Sequence, residues 1–485
     1  RDILIAIFLG ASIFADAFFV AFRLPNTFRR LFAEGTFNAA FIPSYTTEKI
    51  KNRKKGKQFA DDVFRFLIIA LFFVILIVEI FTPYLVYLIA PGFFENSIKF
   101  NLAVDFTRIT FPFLLFVCLS SFFSGILNSN NKFAAAAAAP IILNIVLILS
   151  LLASYLLKLN FAKQLSYGVT LGGVIQLLFL IYFTKKYYKP SVEFKISLNH
   201  KVKYFFRKLL PSVLSSGVTQ INILVGTIIA SFEASAVSYL YYADRVYQIN
   251  LAIAGVAVGT VSLPILSKAF NQKNTKKISN IQSRSIELSL LFSLPASLGL
   301  ILASDEIVNA LFGYGSFTIK NVEMTASALK YFGYGIPAFA LVKILSNFFF
   351  ARNNTKTPFY ISSFVVLTNI FISVSFFNEI GFIIIPIATS ISTWIGVFIY
   401  IYLLYIKNFL LLKDYLFKNI LIIVLNTILL SSILLFALNN FSEYLEYSYK
   451  YKSIYLLIIV GFVAGFYLIS CYLSGVLKKE NFKTN

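Results

Sequence analysis

Long apolar runs alternate with short polar segments along almost the whole chain. Most runs reach about 20 residues, the length that a helix needs to cross the hydrocarbon core of a bilayer. The predicted spans are 1–12, 15–45, 59–90, 100–128, 133–157, 164–184, 205–231, 236–267, 280–303, 324–351, 357–377, 381–406, 414–439 and 452–477. The pattern therefore predicts an all-α, polytopic membrane protein with about 14 transmembrane helices.

The polar segments between these runs fall into two sets that differ in charge. Lys and Arg are concentrated in one alternate set, namely 46–58, 185–204, 268–279, 352–356, 407–413 and the tail 478–485. The opposite set holds acids and fewer cations, with Lys158 and Lys163 as an exception. Because cytoplasmic loops are rich in Lys and Arg, we expect the basic side to be cytoplasmic. An even number of spans then places both termini in the cytoplasm.

Two halves of the chain share short sequence patterns. AFIPSYTTEK, with Pro43, resembles VSLPILSKAF, with Pro264, at a spacing of 221 residues. LNSNNKF resembles FARNNTKTP, and Asn144 matches Asn369 at a spacing of 225 residues. Each repeat holds six helices, so both halves share one orientation in the membrane. We expect two six-helix lobes around a central cavity that opens to either side in turn.

The repeat predicts three parts of the chain. They are an N-terminal lobe in 1–204, a C-terminal lobe in 205–413 and two extra helices in 414–485. Met324 is the only methionine, so we expect that the natural start lies upstream and that the first helix is truncated.

The amino-acid composition is consistent with a polytopic membrane protein. The net charge is +22, but the basic residues lie mainly in short loops, where the charge rule for cytoplasmic loops explains them. We therefore expect no nucleic-acid partner. Cys118 and Cys471 lie in apolar runs, and His200 is the only histidine. The usual His and Cys ligands of metal sites are scarce, so we expect no metal and no other cofactor.

Residues 1–45 are apolar enough to lie in a membrane, yet they carry several charges. The charged residues are Arg1, Asp2, Asp16, Arg23, Arg29, Arg30 and Glu34. A charge near the bilayer centre costs roughly 2.5–3.5 kcal/mol on insertion scales. This concentration of charge indicates a water-filled cavity, a partner or a ligand. Pro25 within the same run predicts a kink that frees backbone groups.

Three stretches form longer motifs: RDILIAIFLGASIFADAFFVAFRLPNTFRRLFAEGTFNAAFIP, YYADRVYQINLAIAGVAVGTVSLPILSKAF and ARNNTKTP. They resemble the MurJ (MviN) family of lipid II flippases, within the MOP transporter superfamily. The resemblance runs through all predicted spans. It implies a transporter of the bacterial inner membrane, not an enzyme, that moves the lipid-linked peptidoglycan precursor from the cytoplasmic to the periplasmic leaflet.

The resemblance also implies which residues contact the substrate. Matched position by position, they are Arg1, Asp2, Asp16, Arg29, Glu34, Ser238 and Arg245. Ala6 matches a further cavity-lining position. Gln248 stands where many members carry an acid, which weakens the case for a required Arg–acid pair there.

Lipid II carries a diphosphate, two sugars, a peptide and a polyprenyl tail. Guanidinium groups suit the diphosphate, because each can hold two phosphate oxygens and stays protonated. Arg1, Arg29 and Arg245 lie on three predicted helices of both lobes, so we expect them to converge on this anion. The nearby acids would orient the arginines or bind the peptide's amine. The alternative is that these charges pair only to fix helix packing.

Two further features have alternative interpretations. Family members are proposed to depend on sodium or on membrane potential, and a coupling cation could be ligated by Thr368, Asn369 and Ser373. The favoured alternative is that these residues form hydrogen bonds between helices. Spans 414–439 and 452–477 would, by resemblance, hold the polyprenyl tail in a groove, or else serve as lipid-facing anchors.

Other functions are less favoured. The main alternative is a MOP-superfamily exporter of another lipid-linked oligosaccharide or of small cationic compounds. A membrane enzyme acting on polyprenyl phosphates would need an Asp-rich, metal-binding motif, which the sequence does not contain. A passive channel or scaffold does not explain the six-plus-six repeat.

Overall fold

The computed structural model describes residues 1–33, 36–191, 203, 205, 207, 217 and 220–477. Glu34 and His200 lie outside the described residues. In the first half of the chain the helices are α1 (Asp2–Leu9), α2 (Ile13–Ala33), α3 (Thr36–Lys51), α4 (Arg53–Ile80), α5 (Thr82–Ile89), α6 (Ser97–Thr110), α7 (Phe113–Ser129), α8 (Phe133–Leu157), α9 (Phe161–Thr184) and α10 (Gln220–Ala230).

The second half is also helical. Its helices are α11 (Ala236–Leu251), α12 (Val258–Asn271), α13 (Thr275–Leu302), α14 (Ser304–Phe312), α15 (Ile319–Phe350), α16 (Lys356–Ile380), α17 (Ile384–Ile406), α18 (Tyr415–Asn440) and α19 (Lys452–Leu473). A π-helical segment, Ala252–Ala257, joins α11 to α12. The predicted all-α class is confirmed.

Within the described residues, ten segments are long and apolar enough to cross a membrane. Helix α8 begins and ends at the predicted bounds, 133 and 157. One of the ten segments, Lys356–Ile406, contains two predicted spans as α16 and α17. The polytopic helical architecture is therefore confirmed, and the count of 14 spans stays a prediction.

The described residues of the predicted span 15–45 lie in α2 and α3. The predicted boundary that follows this span is wrong. The segment 46–58 is not a loop, because α3 continues to Lys51 and α4 begins at Arg53. The break is confined to Asn52, whose side-chain oxygen accepts the backbone N–H of Lys54 at 2.8 Å and so caps α4.

The chain divides into two compact units, Arg1–Ser238 and Tyr239–Asn485. In the first unit, α2 packs against α6 and α7, α3 packs against α4 and α7, and α8 packs against α9. In the second unit, α13 packs against α15 and α18, while α17 packs against α15 and α16. The predicted three-part division at residues 204 and 413 stays a prediction.

Aromatic side chains form much of the core of the first unit. Phe37, Phe41 and Tyr45 follow one another at i,i+4 spacing on α3, and their rings stack with centroids 5.3 and 5.5 Å apart. Phe122 of α7 packs against Phe41 with centroids 5.1 Å apart. Stacked and tilted aromatic pairs add about 0.5–1.5 kcal/mol each to the burial of their surfaces. This column fixes α3 against α7.

The predicted repeat has a structural counterpart at the ends of α7 and α15. Asn131 and Asn353 both adopt the left-handed conformation with φ 58°. The residue after each donates its backbone N–H to a carbonyl five residues earlier, at 2.9 and 3.1 Å. This is the Schellman arrangement that ends a helix, in which Asn is tolerated because it adopts positive φ readily. The two NN motifs therefore end two helices in the same way.

The last two helices bury one face and expose the other. Ile423 and Leu430 of α18 are buried in a cluster with Leu291 of α13. On the opposite side, Phe436 of α18 and Phe462 of α19 are 70% and 69% exposed. Large exposed apolar side chains on a membrane-length helix are those that contact lipid.

Candidate functional site

Arg1 and Asp2 form an ion pair at the start of α1. Nη2 of Arg1 lies 2.6 Å from Oδ1 of Asp2, and Nε donates to the same oxygen at 2.9 Å. Nη1 of Arg1 donates to Oδ1 of Asn144 on α8 at 3.1 Å. The guanidinium is thus held in place by two helices, and both charged side chains keep part of their surface exposed.

Asp16 is fully buried on α2 and accepts four hydrogen bonds. Oδ1 accepts the backbone N–H of Ser238 at 2.9 Å and its hydroxyl at 2.5 Å. Oδ2 accepts the backbone N–H of Ser235 at 3.1 Å and lies 2.6 Å from Nζ of Lys99 on α6. Two of these donors are backbone N–H groups, of Ser235 just before α11 and of Ser238 in its first turn, where N–H groups have no partner within the helix. Asp16 therefore caps α11 from another helix.

Lys99 is a site residue that the sequence did not single out. Its ammonium group pairs with Asp16 and lies 4.0 Å from the ring centroid of Phe93. A buried carboxylate requires such a counter-charge, because a single unpaired charge costs several kcal/mol to bury. The available signal was a lysine at the edge of an apolar run, but nothing in the sequence relates that position to Asp16.

Arg29 lies near the end of α2, after Pro25. Its Nε donates to Oδ1 of Asn26 at 3.0 Å. Pro25 has no N–H, so the carbonyl of Ala21 lacks its usual partner within the helix. The hydroxyl of Thr110 on α6 donates to that carbonyl at 3.1 Å. The backbone group freed by Pro25 is therefore used for helix packing.

Arg245 lies on α11 in the second unit. Its guanidinium carbon is 4.6 Å from the ring centroid of Tyr241, and Nη2 donates to the hydroxyl of the same tyrosine at 3.2 Å. Gln248, one turn further along, donates a hydrogen bond to Asp244. Tyr241 thus orients Arg245 from one turn earlier on the same helix.

The polar residues considered for a cation form a hydrogen-bonded chain. Nδ2 of Asn369 on α16 donates to Oγ1 of Thr389 on α17 at 2.9 Å. Ser373 donates to Oδ1 of Asn369 at 3.1 Å, whereas half-buried Thr368 donates to a carbonyl of its own helix. Asn369 thus makes a hydrogen bond between helices, as in the favoured interpretation, and the coupling cation stays a prediction.

The structure brings some of the candidate residues together. Asp16 contacts Ser238 directly, and Arg1 contacts Asp2. Arg1 and Arg29 belong to the first unit and Arg245 to the second, so the convergence of the three arginines stays a prediction. In the described part of the chain, His, Cys, Asp and Glu side chains form no group of three or more that could hold a metal ion.

The fold is that of a multi-helix membrane transporter. It is similar to an inward-facing multidrug resistance MATE transporter of the MOP superfamily, with a TM-score of 0.67 and 15% identity, covering 84% of this chain and 98% of that one. A lipid II flippase MurJ in an inward closed conformation matches with a TM-score of 0.82 and 26% identity, covering 100% and 96% of the two chains.

The sequence comparisons define the family. The model of the lipid II flippase MurJ family matches residues 5–482. A probable lipid II flippase MurJ of Rhizobium tropici is 39% identical over 82% of this chain and 75% of its own. A protein with the same description in Rickettsia prowazekii is 37% identical over 81% and 78%. The chain belongs to the lipid II flippase MurJ family.

Proposed function

We propose that this chain moves lipid II from the cytoplasmic to the periplasmic leaflet of the bacterial inner membrane, with both of its termini in the cytoplasm. The observation that carries the proposal is the family match, which extends over residues 5–482 and so includes almost every described helix. The match in structure covers the whole chain as well. A multi-pass helical protein suits the transfer of a lipid.

Arg1, Arg29 and Arg245 are the groups that we assign to the diphosphate. Arg1 and Arg29 are half-buried, and each is held by a side-chain amide oxygen, of Asn144 and of Asn26. Arg1 is also paired with Asp2. These contacts fix the direction of each guanidinium, whose planar set of N–H donors suits phosphate oxygens. Tyr241 does the same for Arg245.

Asp16 and Ser238 receive a positioning role in this proposal. Both side chains are 0% exposed, and the carboxylate of Asp16 is occupied by Lys99, Ser235 and Ser238. We infer that Asp16 acts on the substrate through α11, the helix that carries Arg245. Asp2 and Glu34 keep their assignment as acids near the arginines.

The two C-terminal helices are assigned to the polyprenyl tail. Their buried face packs on α13 and α14, and the other face presents apolar side chains such as Phe436 and Phe462. Contact between such a face and a tail made of isoprene units is favourable by about 25 cal/mol of free energy for each Å² of apolar surface removed from water.

Proteoliposomes test the proposal. The full chain is reconstituted with fluorescent lipid II, and a membrane-impermeant quencher measures how much lipid moves between leaflets. We expect transfer with the wild-type chain, a strong decrease with Arg29→Ala, and retention with Arg30→Ala, the matched control on the same helix. Transfer no faster than in protein-free vesicles would refute the proposal. Equal transfer of another lipid-linked oligosaccharide would support the alternative exporter.

A further inference from the structure

Two neighbouring cavities lie in the first unit, at the lysine-rich ends of α4 and α9. The cationic cavity has a volume of about 710 Å³, and seven of its eleven lining residues are Lys or Arg. The apolar cavity, of about 620 Å³, is lined mainly by apolar and aromatic side chains. Both are lined by Lys185, Lys186 and Tyr187. We propose that the two cavities together bind a membrane phospholipid with an anionic phosphodiester head group.

One wall of the cationic cavity is the hairpin of α3 and α4. Lys49 lies on α3, and Arg53 and Lys57 lie on the first turns of α4. The two helices approach closely at Gly56, where an added Cβ would lie 2.8 Å from Cα of Lys49. Nζ of Lys49 donates to Oδ1 of Asn130 at 2.6 Å, which directs this lysine across the helix ends. Backbone contact therefore fixes the hairpin, and a side-chain hydrogen bond fixes the direction of Lys49.

The opposite wall is the segment that follows α9. The hydroxyl of buried Tyr188 donates to Oδ1 of Asp61 at 2.6 Å. The backbone N–H of Ser191 donates to the same oxygen at 3.1 Å, and Nη2 of Arg65 donates to the Ser191 hydroxyl at 3.1 Å. These bonds hold the segment against α4 on both sides of Lys189. The segment that carries Lys185, Lys186 and Lys189 is thus held in a defined position against α4.

Among the described residues that line the cationic cavity, none is acidic. Among the described residues, none of its seven cations forms an ion pair; nearby Glu48 pairs with Lys51, outside the cavity. Asp61 is occupied by Tyr188 and Ser191. A concave surface with this excess of positive charge attracts anions, and basic pockets at the cytoplasmic ends of membrane helices suit phosphate head groups.

The apolar cavity distinguishes a lipid from a free phosphate. Phe133, Ala134 and Phe183 line it and are exposed, although they adjoin the cationic groups. Nζ of Lys185 lies 4.0 Å from the ring centroid of Tyr182, at the junction of the two cavities. A lipid would occupy both cavities, with its phosphate among the lysines of the cationic cavity and the start of its acyl chains in the apolar cavity. A free phosphate would occupy only the cationic cavity.

This site is separate from the proposed route of lipid II, since none of the residues assigned to that substrate lines either cavity. The experiment that tests this site therefore measures lipid binding and not lipid transport. The full chain is purified in detergent, and native mass spectrometry measures the binding of phosphatidylglycerol, of zwitterionic phosphatidylcholine and of soluble glycerophosphoglycerol. We expect phosphatidylglycerol to bind much more tightly than the other two.

Charge variants locate the binding. The triple variant Lys185→Gln, Lys186→Gln, Lys189→Gln should bind phosphatidylglycerol about tenfold more weakly or worse, since each cation near a lipid head group contributes substantially. The matched control Lys273→Gln, Lys276→Gln, Lys277→Gln removes the same charge from the turn between α12 and α13 and should bind as the wild type does. Equal loss in both variants would overturn the proposal.

A third variant tests the apolar part. Ala134→Trp fills the apolar cavity and keeps every cation, so it should weaken phosphatidylglycerol binding several-fold. Unfolding temperatures, measured beside binding, identify any variant that has lost its fold; Ala134→Leu then replaces it as a smaller obstruction. Binding of glycerophosphoglycerol as tight as that of the lipid, or phosphatidylcholine binding equal to that of phosphatidylglycerol, would refute the lipid site.

Discussion

Nζ of Lys99 lies 2.6 Å from Oδ2 of Asp16, and both side chains are almost completely buried. The pair joins α6 to α2, while the remaining acceptor positions of Asp16 are used by the first turn of α11. One carboxylate therefore connects three helices. Any movement of α11 away from α2 has to break hydrogen bonds to a buried charge, so this residue couples the conformations of these helices.

The stability losses caused by removing the two partners of this pair should not add. Asp16→Asn leaves the ammonium group of Lys99 buried without a counter-charge, and we expect a loss of about 3–5 kcal/mol in stability. The double variant Asp16→Asn, Lys99→Met should lose less than the sum of the single variants. A thiol-reactive dye measures unfolding of this unit through buried Cys118, in a Cys471→Ser background. Additive losses would contradict a direct ion pair.

Gly92 should not tolerate a side chain. Its backbone N–H donates to the hydroxyl of Ser231 at 3.0 Å, and an added Cβ would lie 2.4 Å from the carbonyl oxygen of Ser231. Backbone atoms cannot rotate away, so Gly92→Ala should displace the turn that precedes α11 and cost about 1–3 kcal/mol. Gly299→Ala is the control, since nothing lies within 4 Å of its added Cβ. That variant should be neutral or slightly stabilising. The same dye assay measures Gly92→Ala; Gly299 belongs to the other unit, where the fluorescence of Trp394 measures the control.

Lys452 should be required to attach α19 to the rest of its unit. Its buried ammonium group donates to Oδ1 of Asn309 at 2.9 Å and to the carbonyls of Gly313 and Tyr447 at 2.6 and 2.8 Å. Lys452→Met leaves three acceptors without this donor, and each such group costs about 1–3 kcal/mol when buried.

The exposed neighbour Lys450 provides the control for this prediction. Lys450→Met removes the same charge from a surface position and should leave the unfolding temperature unchanged. Fluorescence of Trp394, the only tryptophan, reports unfolding of this unit. If Lys452→Met and Lys450→Met unfold at the same temperature, the buried lysine does not stabilise the unit.

Glu306 should make stability depend on pH. Burial on α14 raises the pKa of its carboxyl above the ordinary value of 4.5, and Asp305 adds to this effect. The folded state thus holds the proton more tightly, so this contribution to stability is complete below pH 4.5 and is lost as the pH rises through the folded pKa. Glu306→Gln should therefore be more stable than the wild type near neutral pH, with the difference vanishing in acid. Glu379→Gln, at an exposed position, is the control; a pH-independent gain in Glu306→Gln would contradict the mechanism.

The apolar pattern predicted the helices well where a run was long and uninterrupted. The bounds of α8 agree to the residue, because no charge interrupts residues 133–157. The prediction was wrong in 46–58, where one capping residue, Asn52, decides the helix boundary and Lys and Glu extend helices as readily as apolar residues do.

The site could be predicted only in part. The charged residues of α1 and α2 were identified because charges in apolar runs are unusual. Their partners could not be identified, since Lys99 lies 83 residues from Asp16 and Asn144 lies 143 residues from Arg1. Sequence periodicity describes one helix at a time, whereas these contacts depend on how helices pack.

The most direct test of the account is whether this chain delivers lipid II to the outer leaflet in living cells. Bacteria depleted of their own flippase receive the wild-type chain, Arg29→Ala or Arg30→Ala, and an enzyme that cleaves lipid II is added outside the cytoplasmic membrane. We predict that lipid II becomes accessible to the enzyme with the wild type and with Arg30→Ala, but not with Arg29→Ala. Lipid II that stays protected in cells producing the correctly inserted wild-type chain would contradict the account.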